Sequence, residues 1–213
     1  MMISPESYYE TYLKGKSQQE ILKEIRSLKR ENNQLKKKIE EQLPDSDQYI
    51  MPSRLTRFKC NREYLDRAIL AYEEAGGKYL PTKQEQKSLK FDCALENLYR
   101  FKFSIGGFCG GYETRTYTVT DDNVMLDVEN THILKPSNLP VYFPFTKEEF
   151  VEGLKDLHMG EWKKDYTELL ILDGTQWELE IQYTNGRRPV RISGSNAYPY
   201  NFEDLLEFLE IDF

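Results

Sequence analysis

The sequence predicts an α+β protein in which a long N-terminal helix forms a coiled coil and precedes an antiparallel sheet with helices packed on one face. Three observations support this fold class. A heptad pattern of apolar residues runs along one predicted helix. Farther along the chain, apolar and polar residues alternate with the period of two that β-strands show. Capping residues mark the starts of further helices, each with one apolar face.

The composition indicates a folded chain with room for one domain and an appendage. The chain has 213 residues, 13% of them aromatic, and no apolar run approaches the roughly 20 residues that a membrane-spanning helix needs. The first residues lack the basic and apolar regions of an export signal. The three cysteines are odd in number and far apart, as is typical of reduced thiols. We therefore expect a cytoplasmic protein without membrane contact.

The heptad pattern runs along the helix predicted from Ser17 to just before Pro44. Ser17 and Glu20 form a capping box at its start. Asn32 occupies an a position among isoleucines at a and leucines at d, which is typical of parallel two-stranded coiled coils whose register the asparagine sets. In the alternative, the same stripe packs on the chain's own domain. The predicted dimer interface comprises Ile21, Ile25, Leu28, Asn32, Leu35 and Ile39.

We divide the chain into an N-terminal helical arm of residues 1–43, a polar and proline-bounded linker of residues 44–53, and an α+β body of residues 54–213. Residues 14–43 contain nine Lys or Arg and five Glu, although the whole chain has a net charge of -7. The acidic body disfavours nonspecific binding of nucleic acid, which depends on cationic contacts with phosphates. Only the N-terminal arm offers such contacts.

Two β-hairpins are predicted in the body. Apolar and polar residues alternate over residues 99–105, within "VMLDVE" and over residues 177–183. The dipeptide Asn185-Gly186 is typical of a two-residue hairpin turn. Strands followed by helices, twice in succession, favour one antiparallel sheet with helices on a single face. The predicted helix N-caps are Asn61, Thr82, Thr146 and Asn201.

The stretch "SIGGFCGGYETRTYTV", residues 104–119, places four glycines between two predicted strands. A phosphate-binding loop would need a helix directly after its glycines, and here a strand follows. Glycines at a corner between strands are typical of a bend with positive φ angles or of a bulge. The alternative is the close approach of a ligand or partner. In that case the candidate partner-binding residues are Phe108, Cys109 and Tyr112.

The stretch "GSNAYPYNF", residues 194–202, has the composition of a connection between a strand and a helix. In the alternative, its two tyrosines form an aromatic surface that binds a partner. Tyr198 and Tyr200 are therefore further candidates for partner binding.

Carboxylates are numerous on the predicted strands. Glu178 and Glu180 lie in "ELEIQ", which loosely matches a strand pattern of restriction-type nucleases. That pattern requires a lysine where this chain has Gln182. Basic residues such as Arg191 on neighbouring strands would pair with the acids across the sheet. We therefore assign no catalytic or metal-ligating residue, and a metal-dependent nuclease is the alternative.

Three phrases, "FSIGGFCGGYETRTYTV", "DGTQWELEIQYTNG" and "NAYPYNF", resemble a group of uncharacterised proteins of gut Firmicutes that are carried on mobile, often conjugative, elements. The resemblance covers most of the chain from "YYETYLKGKS" onward, and it implies no activity, fold or site residue. Elements of this kind also encode small anti-CRISPR proteins, some of which have acidic bodies.

The sequence thus predicts a non-enzymatic, cytoplasmic interaction protein that forms a homodimer through its N-terminal coiled coil and binds another protein. An accessory factor or an inhibitor encoded by a mobile genetic element fits this description. The alternative is an anti-CRISPR-like protein or a metal-dependent nuclease that acts on nucleic acid. No cofactor is expected, because the chain carries no cofactor-binding motif.

Overall fold

The structure is a computed structural model, and it describes residues 2–41, 52–107, 110–131, 141–168, 171 and 173–212. The chain forms two compact units, Met1–Pro81 (unit 1) and Thr82–Phe213 (unit 2). The helix Arg54–Glu74 therefore belongs with the N-terminal residues, whereas the sequence pattern placed it in the body. The predicted linker lies almost entirely outside the described residues.

Unit 1 is helical in its described part. The predicted capping box is confirmed, because Ser17 and Glu20 each bond the other's backbone amide through their side chains. Ser53 caps the third helix, so this helix begins two turns before the start expected at Asn61. Its elements are α1 (Pro5–Tyr8), a π-helical turn (Tyr9–Leu13), α2 (Gln18–Glu40) and α3 (Arg54–Glu74).

The helices α2 and α3 form an antiparallel hairpin. Near the start of α2, the Gln18 side-chain amide donates to the Ala75 carbonyl, just beyond the end of α3. Near the start of α3, Arg57 Nη2 lies 2.8 Å from Glu31 Oε1 in the second half of α2. These two contacts fix opposite directions for the helices. The stripe of α2 therefore faces α3 of the same chain.

The heptad stripe of α2 is buried within the chain rather than against a second chain. Ile25 and Leu28 keep only 1% and 5% of their surface exposed, and they share one apolar cluster with Tyr64, Ala68 and Ala71 of α3. The intermolecular coiled coil predicted from the spacing is thus not the arrangement found, because α3 supplies the apolar surface that a second chain was expected to supply. Of the other stripe residues, the structure buries Ile21, Asn32 and Leu35 and leaves Ile39 half-buried.

Asn32 lies in this seam with an unsatisfied polar atom. Its Oδ1 atom has no hydrogen-bond partner among the described residues, and neither has Nδ2 of Asn61 on α3. A buried polar atom without a partner costs about 1–3 kcal/mol of folding free energy. The asparagine expected to set the register of a dimer is therefore a destabilising residue inside this hairpin.

Two stacked tyrosines hold the N-terminal segment against α3. The ring centroids of Tyr8 and Tyr64 lie 4.3 Å apart, and the rings are nearly parallel. The Tyr64 hydroxyl accepts from the Ile3 amide at 3.0 Å and donates to the Ile3 carbonyl at 2.7 Å. The Tyr8 hydroxyl donates to Glu24, and burial raises the pKa of Tyr8 well above its ordinary value. Unit 1 thus buries Tyr8 in its core and attaches Ile3 to α3 through the Tyr64 hydroxyl.

Unit 2 adds a sheet, so the predicted α+β class is confirmed. None of the helices in the described ranges is both long enough and apolar enough to cross a membrane. The helices of unit 2 are α4 (Lys83–Leu95), α5 (Lys147–Asp156) and α6 (Phe202–Phe208), with a 3-10 turn at Met159–Glu161. The strands are β1 (Leu98–Gly107), β2 (Gly111–Val119), β3 (Asn123–Asn130), β4 (Val141–Thr146), β5 (Asp165–Thr167), β6 (Gln176–Tyr183) and β7 (Val190–Ser195).

The seven strands form one sheet in the order β4-β3-β2-β1-β6-β7-β5. The predicted hairpins are confirmed as the antiparallel pairs β2–β3 and β6–β7. The pair β5–β7 is parallel, so the sheet is mixed and not purely antiparallel as predicted. The correction comes from β5, whose three residues are too few to show an alternating pattern.

Buried apolar and polar residues alternate along β1, at the centre of the sheet, so the two sets of side chains point to opposite faces. Phe101, Phe103 and Ile105 are buried. The Phe101 ring lies 6.1 Å from the ring of Phe150 on α5, and the Phe103 ring lies 6.0 Å from that of Phe202 on α6. One face of the sheet therefore packs on these two helices through aromatic rings.

The opposite face, which we call the polar face, carries the other residues of β1. Arg100, Lys102 and Ser104 point to this side together with their cross-strand neighbours. Lys102 and Glu178 are exposed there. Polar residues of β1 and β6 thus face away from the aromatic core, as the period of two predicts.

The segment after α6 is fixed to the sheet through one carbonyl group. The Leu209 oxygen accepts from the Tyr117 hydroxyl at 3.0 Å and from the Arg115 guanidinium. Arg115 Nε also lies 2.6 Å from Glu113 Oε1. A cation beside the last carbonyls of a helix is favourable because these groups carry partial negative charge.

Asn201 precedes α6 as predicted, but its side chain does not cap the helix. It is buried and joins two other elements instead. Its Oδ1 accepts from Trp162 Nε1 at 2.9 Å, and its Nδ2 donates to the Leu157 carbonyl at 2.6 Å. These bonds satisfy polar groups inside the core that water cannot reach.

The unsatisfied amide in the α2–α3 seam leads to a first prediction. Asn32→Leu should raise the free energy of unfolding of unit 1 by about 1 kcal/mol, because it removes a buried acceptor without a partner. Urea denaturation followed by circular dichroism measures this change. The matched control is Asn33→Leu at the exposed neighbouring position, which should change stability by less than about 0.5 kcal/mol.

Light scattering of the same variants distinguishes the hairpin from a coiled-coil dimer. If α2 pairs between chains, Asn32→Leu should strengthen concentration-dependent association. If Asn32→Leu strengthens association but does not raise the free energy of unfolding of the dilute protein, the hairpin assignment is contradicted.

A second prediction concerns the Tyr117 hydroxyl. Tyr117→Phe should lower the free energy of unfolding by about 1 kcal/mol at pH 7, because it removes one donor to Leu209. Burial raises the pKa of Tyr117 from 10.0 to about 12. The folded protein therefore holds the phenol proton more tightly than the unfolded chain does. The resulting contribution to the free energy of unfolding is complete below pH 10 and is lost as the pH rises from 10 to about 12.

The difference in stability between wild type and Tyr117→Phe should therefore narrow over that pH interval. Urea denaturation at intervals of half a pH unit measures it. The exposed Tyr99→Phe serves as control and should match wild type throughout. A gap of constant size up to pH 12 would show that Tyr117 ionises as it does in the unfolded chain.

Candidate functional site

A concave site, which we call the serine hollow, lies on the polar face across β1, β6, β7 and β5. Its volume is about 340 Å³. The register places Ser104 of β1 and Ser193 of β7 on either side of Glu178 on β6. One row away, the corresponding positions of β1 and β7 carry the longer Lys102 and Arg191. The hollow exists because serines flank Glu178 in the first row, whereas the longer Lys102 and Arg191 flank Glu180 in the second.

The serine hollow contains hydroxyl groups and two carboxylates. Asp165 Oδ1 accepts from Thr167 Oγ1 at 2.7 Å on the edge strand β5. Glu178 is exposed and makes no hydrogen bond or salt bridge with any described residue. Ser195 lies beside Thr167 in the register. The described lining residues therefore offer many hydrogen-bond acceptors and two negative charges.

Glu180, one row away, is by contrast fully engaged. Gln182 Nε2 donates to Glu180 Oε1 at 2.7 Å, and Arg191 Nε donates to Oε2 at 3.0 Å. The hydrogen bonds from Gln182 and Arg191 hold the pKa of Glu180 below its ordinary value. The expected pairing of acids with cross-strand arginines is thus confirmed here. Within the described ranges, no group of three or more His, Cys, Asp or Glu is placed to hold a metal ion.

Tyr112 forms one wall of the serine hollow. Gly106 of β1 lies between Tyr112 of β2 and Gln176 of β6 in the register. Because Gly106 has no side chain, the two neighbours meet above it, and the Tyr112 hydroxyl donates to Gln176 Oε1 at 2.8 Å. Among the candidates that the structure describes, Tyr112, Tyr198 and Tyr200, only Tyr112 lines this hollow.

A second concave site, the glycine hollow, adjoins Tyr112 on its other side and has a volume of about 540 Å³. Its walls include Gly106, Gly107, Gly111 and Gly174. A Cβ atom on Gly106 would meet the Gly111 carbonyl oxygen, and Gly111 has a φ of 72°. The glycines are thus required by the chain's own tight corner, which supports the predicted bend.

The described candidates Tyr198 and Tyr200 do not line either hollow. Tyr200 is 5% exposed and Tyr198 packs on Phe202 with ring centroids 4.8 Å apart. The exposed aromatic surface proposed for the pair is therefore wrong for Tyr200, because its ring belongs to the core. Phe108 and Cys109 lie outside the described residues.

Sequence reasoning did not single out the hydroxyl groups of the serine hollow. Ser104 stands in "FSIGG", and Ser193 and Ser195 stand in "RISGS". In both stretches a serine alternates with buried residues, so the pattern indicates which side of a strand it occupies. The pattern does not show that β1 and β7 place their serines around the same residue of β6. That information is contained in the strand order.

A third prediction tests the glycine corner. Gly106→Ala should lower the free energy of unfolding of unit 2 by about 2–3 kcal/mol, because the new methyl group would push β2 away from β1. Gly110→Ala is the matched control. A Cβ atom at Gly110 meets nothing within 4 Å, so this variant should stay within about 0.5 kcal/mol of wild type. Urea denaturation measures both, and equal tolerance would favour a ligand-binding role for Gly106.

Comparisons with known proteins do not assign the chain to a family. No family model matches it, and no curated protein or solved structure matches it either. What the protein does is therefore inferred from its own residues.

Proposed function

We propose that the protein is a non-enzymatic interaction protein that binds another protein through the polar face of unit 2. The serine hollow is the observation that carries this proposal. It opens on a sheet face with exposed polar side chains, and it contains Glu178, whose carboxylate has no hydrogen bond or salt bridge with a described residue. A concavity with a few convergent polar groups, one of them a carboxylate without a partner in the described protein, is suited to binding a ligand.

The state of the strand carboxylates favours binding over catalysis. Glu180, the acid that the nuclease pattern would use, is held by Gln182 and Arg191. A group fixed by two hydrogen bonds with a lowered pKa is a poor proton acceptor at neutral pH. The polar face is in this respect an ordinary charged sheet surface, and the serine hollow lies on it.

The biological setting follows from the resemblance alone. An accessory factor or an inhibitor encoded by a mobile genetic element would act by binding a host or element protein, and an anti-CRISPR-like inhibitor is one form of the same activity. We also propose homodimerisation as a separate property. A dimer through α2 would require this helix to exchange α3 for a second chain, because Ile25 and Leu28 are buried against α3.

The fourth prediction is that partner capture depends on the serine hollow. Wild-type protein and two variants with the same change in charge are immobilised and exposed to a lysate of cells that encode the protein. Ser193→Lys fills the hollow, whereas Gln84→Lys places the same charge on the exposed side of α4. Mass spectrometry should find proteins that wild type and Gln84→Lys retain and that Ser193→Lys loses.

Two results would contradict the proposal. Equal retention by all three proteins would show that the hollow does not bind the partner. Cleavage of single- or double-stranded nucleic acid in the presence of Mg²⁺ or Mn²⁺, abolished by Glu180→Ala, would show that the protein is an enzyme.

A further inference from the structure

We infer that the serine hollow takes a basic segment of the partner, with two cationic side chains about 10 Å apart. This inference rests on the proposed function and adds the chemistry of the bound segment. It is carried by the charge of the lining residues and by the positions of two carboxylates in the strand register.

The described residues lining the two adjoining hollows include four carboxylates and no Lys, Arg or His. Glu113 is paired with Arg115, while Asp165 and Glu178 belong to the serine hollow itself. The surroundings have the same sign, because residues 82–213 contain 14 Lys or Arg and 23 Asp or Glu. Such a field attracts cationic partners and repels anionic ones.

The arginine of the neighbouring row on β7 does not neutralise the serine hollow. Arg191 lies one row away and its guanidinium is bound to Glu180. It contributes electrostatically but forms no salt bridge to Glu178. The carboxylate of Glu178 is therefore available to an incoming cation, as is the second oxygen of Asp165, whose first oxygen accepts from Thr167.

The register sets the distance between the two acids. Glu178 lies beside Ser193, and Ser193 lies beside Asp165. Neighbouring strands are about 4.8 Å apart, so the two acids stand about 10 Å apart at their backbones. In a polyproline II segment, residues three apart point to the same side and are about 9 Å apart. Two basic residues separated by two prolines therefore match the two acids.

The serine hydroxyl groups on either side of Glu178 can accept hydrogen bonds from the guanidinium group of arginine. This group has five N–H donors and no acceptor. Ser193 lies between the two carboxylates, and Ser104 lies on the other side of Glu178. The Ser193 oxygen is an acceptor that a guanidinium can use in addition to the carboxylates, and Ser104 Oγ, which accepts from Thr114 Oγ1 at 2.9 Å, has a second lone pair. A lysine ammonium group offers fewer donors and a less extended geometry.

The experiment uses short capped peptides as probes of the full-length, ¹⁵N-labelled protein. The probes are Arg-Pro-Pro-Arg, Arg-Pro-Pro-Ala and Glu-Pro-Pro-Glu, titrated at low and at physiological salt. NMR should show shifts of the amides of Ser104, Gln176, Ser193 and Ser195 with the first peptide. Affinity should fall about fivefold for the peptide with one arginine, and the acidic peptide should not bind. Higher salt should weaken binding further.

Two double variants test the role of the acids. Asp165→Asn combined with Glu178→Gln should weaken binding of Arg-Pro-Pro-Arg about tenfold. The control combines Asp121→Asn with Glu148→Gln, two exposed acids outside the lining of either hollow. It changes the net charge equally and should alter affinity less than twofold. Unchanged amide shifts elsewhere in unit 2 show that each variant is folded.

Several outcomes overturn the inference. Equal weakening in both double variants would mean that overall charge attracts the peptides without a site. Maltotriose that shifts the same amides with higher affinity would assign the hollow to a carbohydrate. If basic peptides do not bind but partner capture still depends on the hollow, the proposed function stands and the basic segment is wrong. If the peptides bind as expected but no captured protein depends on Ser193, the proposed function fails and the chemistry of the hollow stands.

Discussion

The alternation of β1 is the constraint on which unit 2 depends. This strand pairs with β2 on one side and β6 on the other, so each of its residues fixes a row across the sheet. Phe101 and Phe103 direct their rings toward α5 and α6, and Ser104 therefore must face the other way. A shift of one residue would expose the phenylalanines and bury Lys102. The aromatic core and the serine hollow therefore both depend on the same register of β1 with β2 and β6.

Unit 1 shows that the apolar stripe of α2 packs on α3 of the same chain, although its spacing is also that of a coiled coil. The spacing of Ile25, Leu28 and Leu35 describes a helix with one apolar face, and this face needs apolar surface opposite it. The structure supplies that surface from α3 of the same chain, where Ala68 and Ala71 lie in the shared cluster. A hairpin within one chain forms without the loss of translational and rotational entropy that association with a second chain requires. Asn32 fits the hairpin poorly, because its Oδ1 atom has no hydrogen-bond partner among the described residues.

Several buried polar groups in unit 2 join one secondary-structure element to another by hydrogen bonds. Tyr117 and Arg115 hold the carbonyl of Leu209, and Asn201 joins Trp162 to Leu157. Inside a core, most such groups are paired because water cannot reach them. The serine hollow differs because its carboxylates face solvent, where they keep part of their hydration and are free to exchange it for a ligand. This difference in burial separates the polar groups that hold the fold from those that are available for binding.

The sequence by itself determined the local elements, since caps, helix periodicity and strand alternation depend on neighbouring residues. The Ser17 capping box, the hairpin after Tyr183 and the two-sided character of β1 were all predictable for this reason. Only the tertiary structure decided that α3 covers the stripe of α2, that β5 joins the sheet in parallel, and that Ser104 and Ser193 flank Glu178. These facts join residues far apart in the chain. The order of strands and the pairing of helices are set by the packing of the whole unit, which local periodicity does not encode.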